Sequence, residues 1–580
     1  MRYLKFGLSA LAVIIVTTVY NLRSYRNMST QEAMDAGQLA RNLAQGKGYT
    51  TGFVRPFSMY LVKKNSEQSM PAGTRLSELA KIKEAHPDIA NPPLYPIVLA
   101  GLMKVVPFDF SMPLHKAFWS LNGIFFRAQP EFIISLFNQV LFFISAVLLF
   151  FLARKLFDPM IAWTSAALFF GTELFWRFSV SGLSTMLLLL IFITLAWCLV
   201  LIEEQGREPR WGAVRLVLAA IAAGLITGLG CLTRYSFGWL IIPVVLFLFL
   251  FGGSRRPVLA ATAFVAFAIV LTPWVIRNYN VSDTPFGTAG YALYADSGLF
   301  PEDSLERSLT PDLHRPRFNA LTQKFIVNTR QILQEQVPRL GGNWLSAFFI
   351  VGLMVGFANP GASRLRYFVL LSLLVLVFVQ ALGRTYLSDD SPEINSENLL
   401  VLLAPLTLVF SVSFFLLLLN QIFLPMRELR YLIIGLFCLA ACLPMLFTFL
   451  PPRRWPLASF PYRPHTARII GEWTRPSELT VSDIPWAVAW YGDRQCVWLP
   501  PDLVSFGDIN DYYRFFSLVY LTQRSAENHV GSPWCLVRLQ IAMGGPPPQT
   551  FPLKTIPPMQ LNPADIEGAQ VIVTDVERWK

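Results

Sequence analysis

Charge is scarce in this sequence. Asp, Glu, Lys and Arg make up 15% of its 580 residues, against about 25% in an ordinary soluble domain. Hydrophobic residues make up 54%, and the mean hydropathy is +0.46, which excludes a soluble globular fold for most of the chain. Histidine is scarcer still, with five residues, and the six cysteines fall in no spacing with them that suggests zinc. No internal repeat is evident, which weighs against the repeat-built architecture of a secondary transporter. The opening MRYLKFGLSALAVIIVTTVY lacks a small-x-small cleavage site after its apolar core, so it reads as a retained signal anchor.

What the sequence has in plenty is apolar runs of about 20 residues, the length a helix needs to cross the hydrocarbon. The net charge of +11 comes largely from basic residues in short loops beside those runs, as the positive-inside rule expects, and calls for no nucleic acid partner. Arg2 and Lys5 place the N-terminus inside. Basic loops at 153–157, 207–215, 252–257, 362–366 and 426–430 are then all inside if spans lie near 131–152, 159–176, 183–202, 214–232, 237–251, 258–276, 344–358, 367–382, 398–419 and 431–449. With the opening segment this predicts about 11 transmembrane helices, and residues 21–130, 277–343, 383–397 and everything after 450 fall outside. The segment PPLYPIVLAGLMKVVPF (92–108) is short, contains Lys104 and would invert every later loop if it crossed, so it is expected as a surface helix.

The sequence changes character at FLPPRRWP (449–456), dividing a membrane domain, 1–450, from an outer domain, 451–580. ARIIGEW (467–473) reads as a helix, and ELTVSD (478–483), QCVWLP (495–500) and AQVIVTD (569–575) read as strands, giving a small C-terminal α/β domain. Cys198, Cys231, Cys438 and Cys442 lie in or near spans and read as small apolar residues. Cys496 and Cys535 share the outer domain, where a disulfide can persist, but sequence alone does not pair them.

The first outer loop carries a polar pattern. STQE (Ser29 to Glu32) fits a capping box with Glu32 reaching back to the cap. Leu39, Ala40, Leu43 and Ala44 form an apolar stripe, and Gly46 and Gly48 supply the stop of an amphipathic helix. Asp35, Gln38 and Asn42 share its polar face, and the local sequence gives Asp35 no structural task. The plain alternative is a solvated acid near a helix N-terminus. At the outer ends of the spans stand Arg177, Arg234, Arg277 and Arg384, with Lys47 and Arg55 in the first loop. Some can be snorkelling side chains. Together around one outer cavity they would bind a phosphate or pyrophosphate. Tyr49, Tyr95, Trp176 and Trp274 are candidates for stacking on a sugar, or ordinary interfacial aromatics.

DAGQLARNLAQGKGYTT with NPPLYPIVLA, then SVSGLSTMLLLL (179–190), GLITGLGCLTRYSFGWLIIP (224–243), TPWVIRNY (272–279) and VSDIPWAVAWYGDRQCVWLP (481–500), resemble in order the segments of bacterial GT-C glycosyltransferases. These take sugars from polyprenyl-phosphate donors and include the family 39 protein O-mannosyltransferases and the lipid A aminoarabinose transferases. The similarity spans most of residues 1–500. It implies a GT-C fold with amphipathic helices in the first outer loop, in a bacterial plasma (inner) membrane, with the active site on the periplasmic or extracellular side. It also implies inverting transfer of a hexosyl or pentosyl group to a glycolipid, polysaccharide or protein, with Asp35, or else Glu32, as the carboxylate base. The arginines and Lys47 would contact the donor phosphate, and Gln38, Asn42, Tyr49, Asp88, Asn91 and Tyr95 the sugar or acceptor. Relatives pair acids at the start of this loop, whereas Asp35 stands between Met34 and Ala36. Others place an acid or Lys immediately before PP, where this chain has Asn91, with Asp88 nearby as a second acid or a plain loop residue. A late span that often opens on arginine has Glu397 in INSENLLVLLAP. No metal or other cofactor is expected, although a divalent ion stays open. The rival classes are a secondary transporter and a non-catalytic membrane assembly protein.

Overall fold

A computed structural model describes residues 2–25, 27–68, 86–111, 128–313, 318–341, 344–383, 394–450, 464–527, 532–548, 551–557 and 570–579. Arg384 lies outside these described residues. The apolar sequence folds as helices, which satisfy their backbone polar groups internally where lipid offers no partner. The first stretch holds α1 (Arg2–Arg23), α2 (Gln31–Ala44), α3 (Pro56–Gln68) and α4 (Leu94–Val105). The body follows as α5 (Gln129–Leu156), α6 (Pro159–Gly171), α7 (Glu173–Val180), α8 (Thr185–Arg207), α9 (Ala213–Thr233), α10 (Ile241–Phe251) and α11 (Arg256–Ser282). It continues with α12 (Ser304–Arg307), α13 (Phe318–Gln331), α14 (Leu345–Met354), α15 (Pro360–Gly383), α16 (Ala404–Gln421) and α17 (Arg427–Thr448).

Seven helical stretches among the described residues are long and apolar enough to cross a membrane: Gln129–Leu156, Thr185–Arg207, Ala213–Thr233, Gly253–Ser282, Pro360–Gly383, Leu399–Gln421 and Glu428–Thr448. Each coincides with an expected span. The other four expected spans fall on shorter apolar helices, Ala10–Arg23, Pro159–Gly171, Tyr235–Phe251 and Leu345–Met354. A fifth short helix, α4, occupies the segment expected at the surface. Within the bundle Glu203 of α8, 1% exposed, meets Arg364 of α15 at 2.7 Å.

The tail contributes α18 (Pro464–Trp473), α19 (Pro485–Tyr491), α20 (Leu503–Asp508), α21 (Arg524–Glu527) and α22 (Pro533–Ala542). Its strands β2 (Leu479–Ser482), β3 (Cys496–Trp498), β4 (Phe516–Leu521) and β5 (Val571–Thr574) form a sheet with one outsider. The order is β1-β3-β2-β4-β5, and β1 is Phe53–Val54 from the segment between α2 and α3, parallel to β3 with Phe53 opposite Cys496. β2 is parallel to β3 and β4, and β5 runs antiparallel to β4. The sheet is buried along every strand, as parallel sheets covered on both faces are. Alternate residues serve different cores. Phe53, Cys496, Trp498, Leu518, Tyr520 and Ile572 join the core of the helical body, while Val54, Val481, Val497, Val519 and Val573 pack with Phe506 and Trp534 in a second one. The first loop and the tail are therefore one packed unit. Cys496 and Cys535 are both free and buried.

Candidate functional site

The site is built on α2. Its N-cap is Thr30, whose hydroxyl accepts from the Ala33 amide at 3.4 Å. The capping box expected at Ser29 is thus corrected. With the cap one residue later, the third position after it is Ala33, and Glu32 instead accepts a hydrogen bond from the Ser396 hydroxyl at 3.0 Å. The glycine stop forms as expected, with φ of 76° at Gly46 and 74° at Gly48.

Asp35 is 0% exposed, which overturns the solvated-acid alternative. α2 packs against α4 and α19, and the bare Cα of Gly37 admits the Trp490 ring, which would lie 3.0 Å from an added Cβ. Donors face both oxygens of the buried carboxylate. Gln38 donates to Oδ1 at 3.2 Å, and Arg55 and Asn91 donate to Oδ2 at 2.8 and 2.7 Å. Gln38 also donates to Thr51 at 2.8 Å and accepts from the Gly52 amide at 2.9 Å. Asn42 donates to the Thr50 carbonyl at 2.8 Å. The predicted polar face is real, and its two amides brace Asp35 and the glycine turn.

Arg55 follows β1 directly, so the β1–β3 pairing sets its backbone, and its guanidinium lies 4.0 Å over the Phe53 ring. It meets three carboxylates: Asp35 at 2.8 Å, Glu306 of α12 at 3.1 Å and Asp88 at 3.9 Å. Burial opposes its charge, but the three acids outweigh that and raise its pKa above the ordinary value. Asp88 accepts from the Asn91 amide at 2.9 Å and from its side chain at 3.3 Å. Burial, reinforced by the Asp35 charge, pushes the Asp88 carboxyl up to about 6, with Arg55 pulling the other way. Burial likewise raises Glu306 against the pull of Arg55. Beside them His86 sits 3.1 Å from the Ser58 hydroxyl, and burial lowers its pKa to about 4, which leaves it neutral.

The loop carrying Asp88 and Asn91 is held from the α11 side. Arg277 donates to the Asp88 carbonyl and, at 3.4 Å, to the Tyr49 carbonyl, and its guanidinium lies over the Tyr49 and Trp274 rings. Tyr49 donates to the carbonyls of Asn91 and Pro92 at 3.1 Å, and burial, then the nearby Asp88, raises its phenol well above the ordinary value. Gly287, at φ 56°, lies so close that an added Cβ would be 1.8 Å from the Ile89 carbonyl oxygen.

The remaining candidates are dispersed. Tyr95 donates to the Gly182 carbonyl at 2.8 Å and accepts from Asn138 at 3.1 Å, and Trp176 donates to the Phe170 carbonyl at 2.7 Å, so both brace the fold. Lys47 is exposed at the glycine turn, and Arg177 is half-buried at the end of α7. Arg234 is half-buried at the end of α9, and its guanidinium makes no hydrogen bond or ion pair among the described residues. Burial pulls its pKa down to about 10, with Glu397 and Glu32 acting on it through space in the opposite sense.

Sequence reasoning missed Glu306, which lies in a short helix far along the chain. It also missed Glu131, 0% exposed, which accepts from the Met28 amide at 2.7 Å and from the Trp490 indole at 3.0 Å. An acid opening an apolar run was a legible signal for Glu131. Arg41 was likewise missed; it donates to the carbonyls of Trp490 and Ala489 at 3.0 and 2.6 Å.

Residues 113–276 match the family model of dolichyl-phosphate-mannose-protein mannosyltransferases. Among solved structures, the chain is similar to the archaeal oligosaccharyltransferase AglB from Archaeoglobus fulgidus in complex with an inhibitory peptide and a dolichol-phosphate. The TM-score is 0.54 at 10% identity, over 91% of this chain and 70% of that one. The family match covers less than half of the chain, and the likeness to the archaeal enzyme is one of fold. The Archaeoglobus fulgidus oligosaccharyltransferase in the apo form superposes on this chain with a TM-score of 0.52 at 11% identity, over 90% of this chain and 71% of that one. ArnT from Cupriavidus metallidurans, in the apo state, gives 0.47 at 12% identity over 99% of this chain and 98% of that one. No curated protein matches the chain by sequence.

One structure of the Archaeoglobus fulgidus oligosaccharyltransferase is a complex with Zn and sulfate, and a metal site needs several ligands around one open point. The acids around Arg55 do not fit such a site as they stand. Among the described residues no group of three or more His, Cys, Asp or Glu is arranged to hold a metal, and the carboxylates of Asp35, Asp88 and Glu306 converge on the Arg55 guanidinium instead.

Proposed function

We propose that this protein is a membrane glycosyltransferase that moves a sugar from a polyprenyl-phosphate donor to a lipid, glycan or protein acceptor on the outer face of a bacterial plasma membrane. The observation that carries this reading is the buried Asp35 carboxylate, oriented by Gln38, Arg55 and Asn91 with Asp88 alongside. In the proposed step Asp35 takes the proton of an acceptor hydroxyl as its oxygen bonds to the anomeric carbon. The bond from that carbon to the donor phosphate oxygen breaks on the opposite face, and its electron pair leaves with the polyprenyl phosphate. The anomeric centre inverts. A hydroxyl needs such a base because its own pKa lies far above 7. The phosphate leaving group needs positive charge more than a proton, and Arg234, unpaired among the described residues, is assigned to it.

Of the three donors on Asp35, Gln38 and Arg55 are buried and Asn91 is half-exposed. The acceptor hydroxyl therefore approaches from the Asn91 side and displaces its amide from Oδ2. Purified protein incubated with a polyprenyl-phosphate-linked sugar and a panel of acceptors should release free polyprenyl phosphate, read by mass spectrometry. No release with any donor–acceptor pair, from folded protein, would count against the enzyme reading.

A further inference from the structure

Three acids from separate parts of the chain, Asp35 in α2, Asp88 before α4 and Glu306 in α12, meet a single guanidinium. Arg55 is 6% exposed, while Asp35 and Asp88 are 0% and 2% exposed. Burying several charges together is a poor way to gain stability, since well-packed apolar residues of similar volume do as well or better. Such a cluster is better explained by what it positions. Every arm of the guanidinium is assigned, with Nη2 to Asp35, Nε to Glu306 and Nη1 toward Asp88, and its plane is fixed over Phe53. A cation ringed by carboxylate oxygens from different segments is also the arrangement by which proteins hold divalent ions, which take several oxygen ligands and complete their shell with water.

We propose that Arg55 is the resident cation of this cluster, a positioning residue that holds the Asp35 carboxylate from the place a divalent ion would take, and that removing its charge opens a divalent-cation site. The role in positioning the base rests on the proposed function; the cation exchange does not. Lysine at this position keeps a positive charge and excludes the ion, whereas alanine leaves three acids facing a vacated volume. Because β1 precedes Arg55 directly and pairs with β3, this cation is placed by the C-terminal sheet rather than by a diffusible ligand.

The test uses the full-length protein in detergent, with Mn2+ as the probe, followed by isothermal titration and thermal unfolding. Arg55→Ala should bind one Mn2+ per chain at least about tenfold tighter than wild type, and its unfolding temperature should rise with Mn2+ and fall with chelator. Wild type and Arg55→Lys should show neither effect, and adding Asp35→Asn to Arg55→Ala should remove the binding. A folded Arg55→Ala that binds Mn2+ no better than wild type would overturn the proposal. If that variant is not recovered folded, Arg55→Ala/Glu306→Gln, which carries less repulsion, decides by the same criterion. Where sugar transfer is measurable, Mn2+ should restore rate to Arg55→Ala and leave Arg55→Lys unaffected. Mn2+ binding by Arg55→Ala, with no transfer by wild type for any donor–acceptor pair, would count against the enzyme reading and leave the cation assignment standing.

Discussion

Arg41 is the clearest place to test how the tail holds the site. It is 4% exposed and lies on α2, two turns from Asp35. Its two terminal nitrogens donate to the carbonyls of Trp490 and Ala489, the last turn of α19, and Nη2 also meets Asp493 at 2.8 Å. A guanidinium there satisfies carbonyls left without helical partners and complements the negative end of the helix. Arg41→Met keeps the length of the side chain and removes the fork. Hydrogen bonds from a charged donor contribute about 1.5–3 kcal/mol each. The half-exposed Asp493 adds little, at about 0–1 kcal/mol. Against this, burial disfavours the Arg41 charge, and Nε finds no partner, so the expected net loss is about 2–4 kcal/mol. At about 1.4 kcal/mol per factor of ten, amide exchange protection at β1 and β3 should fall by about 30- to 700-fold. Hydrogen–deuterium exchange with mass spectrometry on purified protein reads this directly. Unchanged protection at Phe53–Val54 and Cys496–Trp498 in a folded Arg41→Met would refute the claim that this fork couples the tail to α2.

Three further outcomes follow from the same geometry. Gly287→Ala places a Cβ against the Ile89 carbonyl oxygen, so it should displace the loop bearing Asp88 and Asn91 and lower transfer activity, with faster exchange at residues 86–91 as the structural readout. Transfer should fall as pH drops through about 6, where the Asp88 carboxyl gains its proton and no longer opposes the pairing of Asp35 with Arg55. Asp88→Asn should remove that inflection and hold the rate near its acidic level. Because the folded value lies above the ordinary 3.8, Asp88 favours the folded state most below that pH, and its contribution is lost as pH rises to 6 and beyond. Asp88→Asn should therefore flatten this part of the stability profile in thermal unfolding.

The membrane body was legible because length and hydropathy dictate helices in lipid, and eleven expected segments all fall on apolar helices. α2 was legible from its stripe and its two glycines. The isolation of Asp35 could also be read, since nothing near it in sequence needed an acid. Its burial could not. That depends on Arg41 reaching Trp490, 449 residues away, and on Arg55 reaching Glu306 across 251. β1 was illegible for a different reason: two residues carry no period, and only the partner strand makes them a strand. The arginines looked alike in sequence and separate in space. Arg277 is engaged with loop carbonyls, Arg55 with acids, and the Arg234 guanidinium makes no hydrogen bond or ion pair among the described residues.

The proposed mechanism turns on Asp35 taking the acceptor proton. The most direct measurement compares wild type with Asp35→Asn in the release of polyprenyl phosphate from a lipid-linked sugar donor, with exchange protection in α2 confirming that the variant is folded. The amide keeps the shape of the side chain and loses the base. The rate should be lower by about 10²- to 10⁴-fold, with donor binding retained. A folded Asp35→Asn that transfers sugar at the wild-type rate would contradict it.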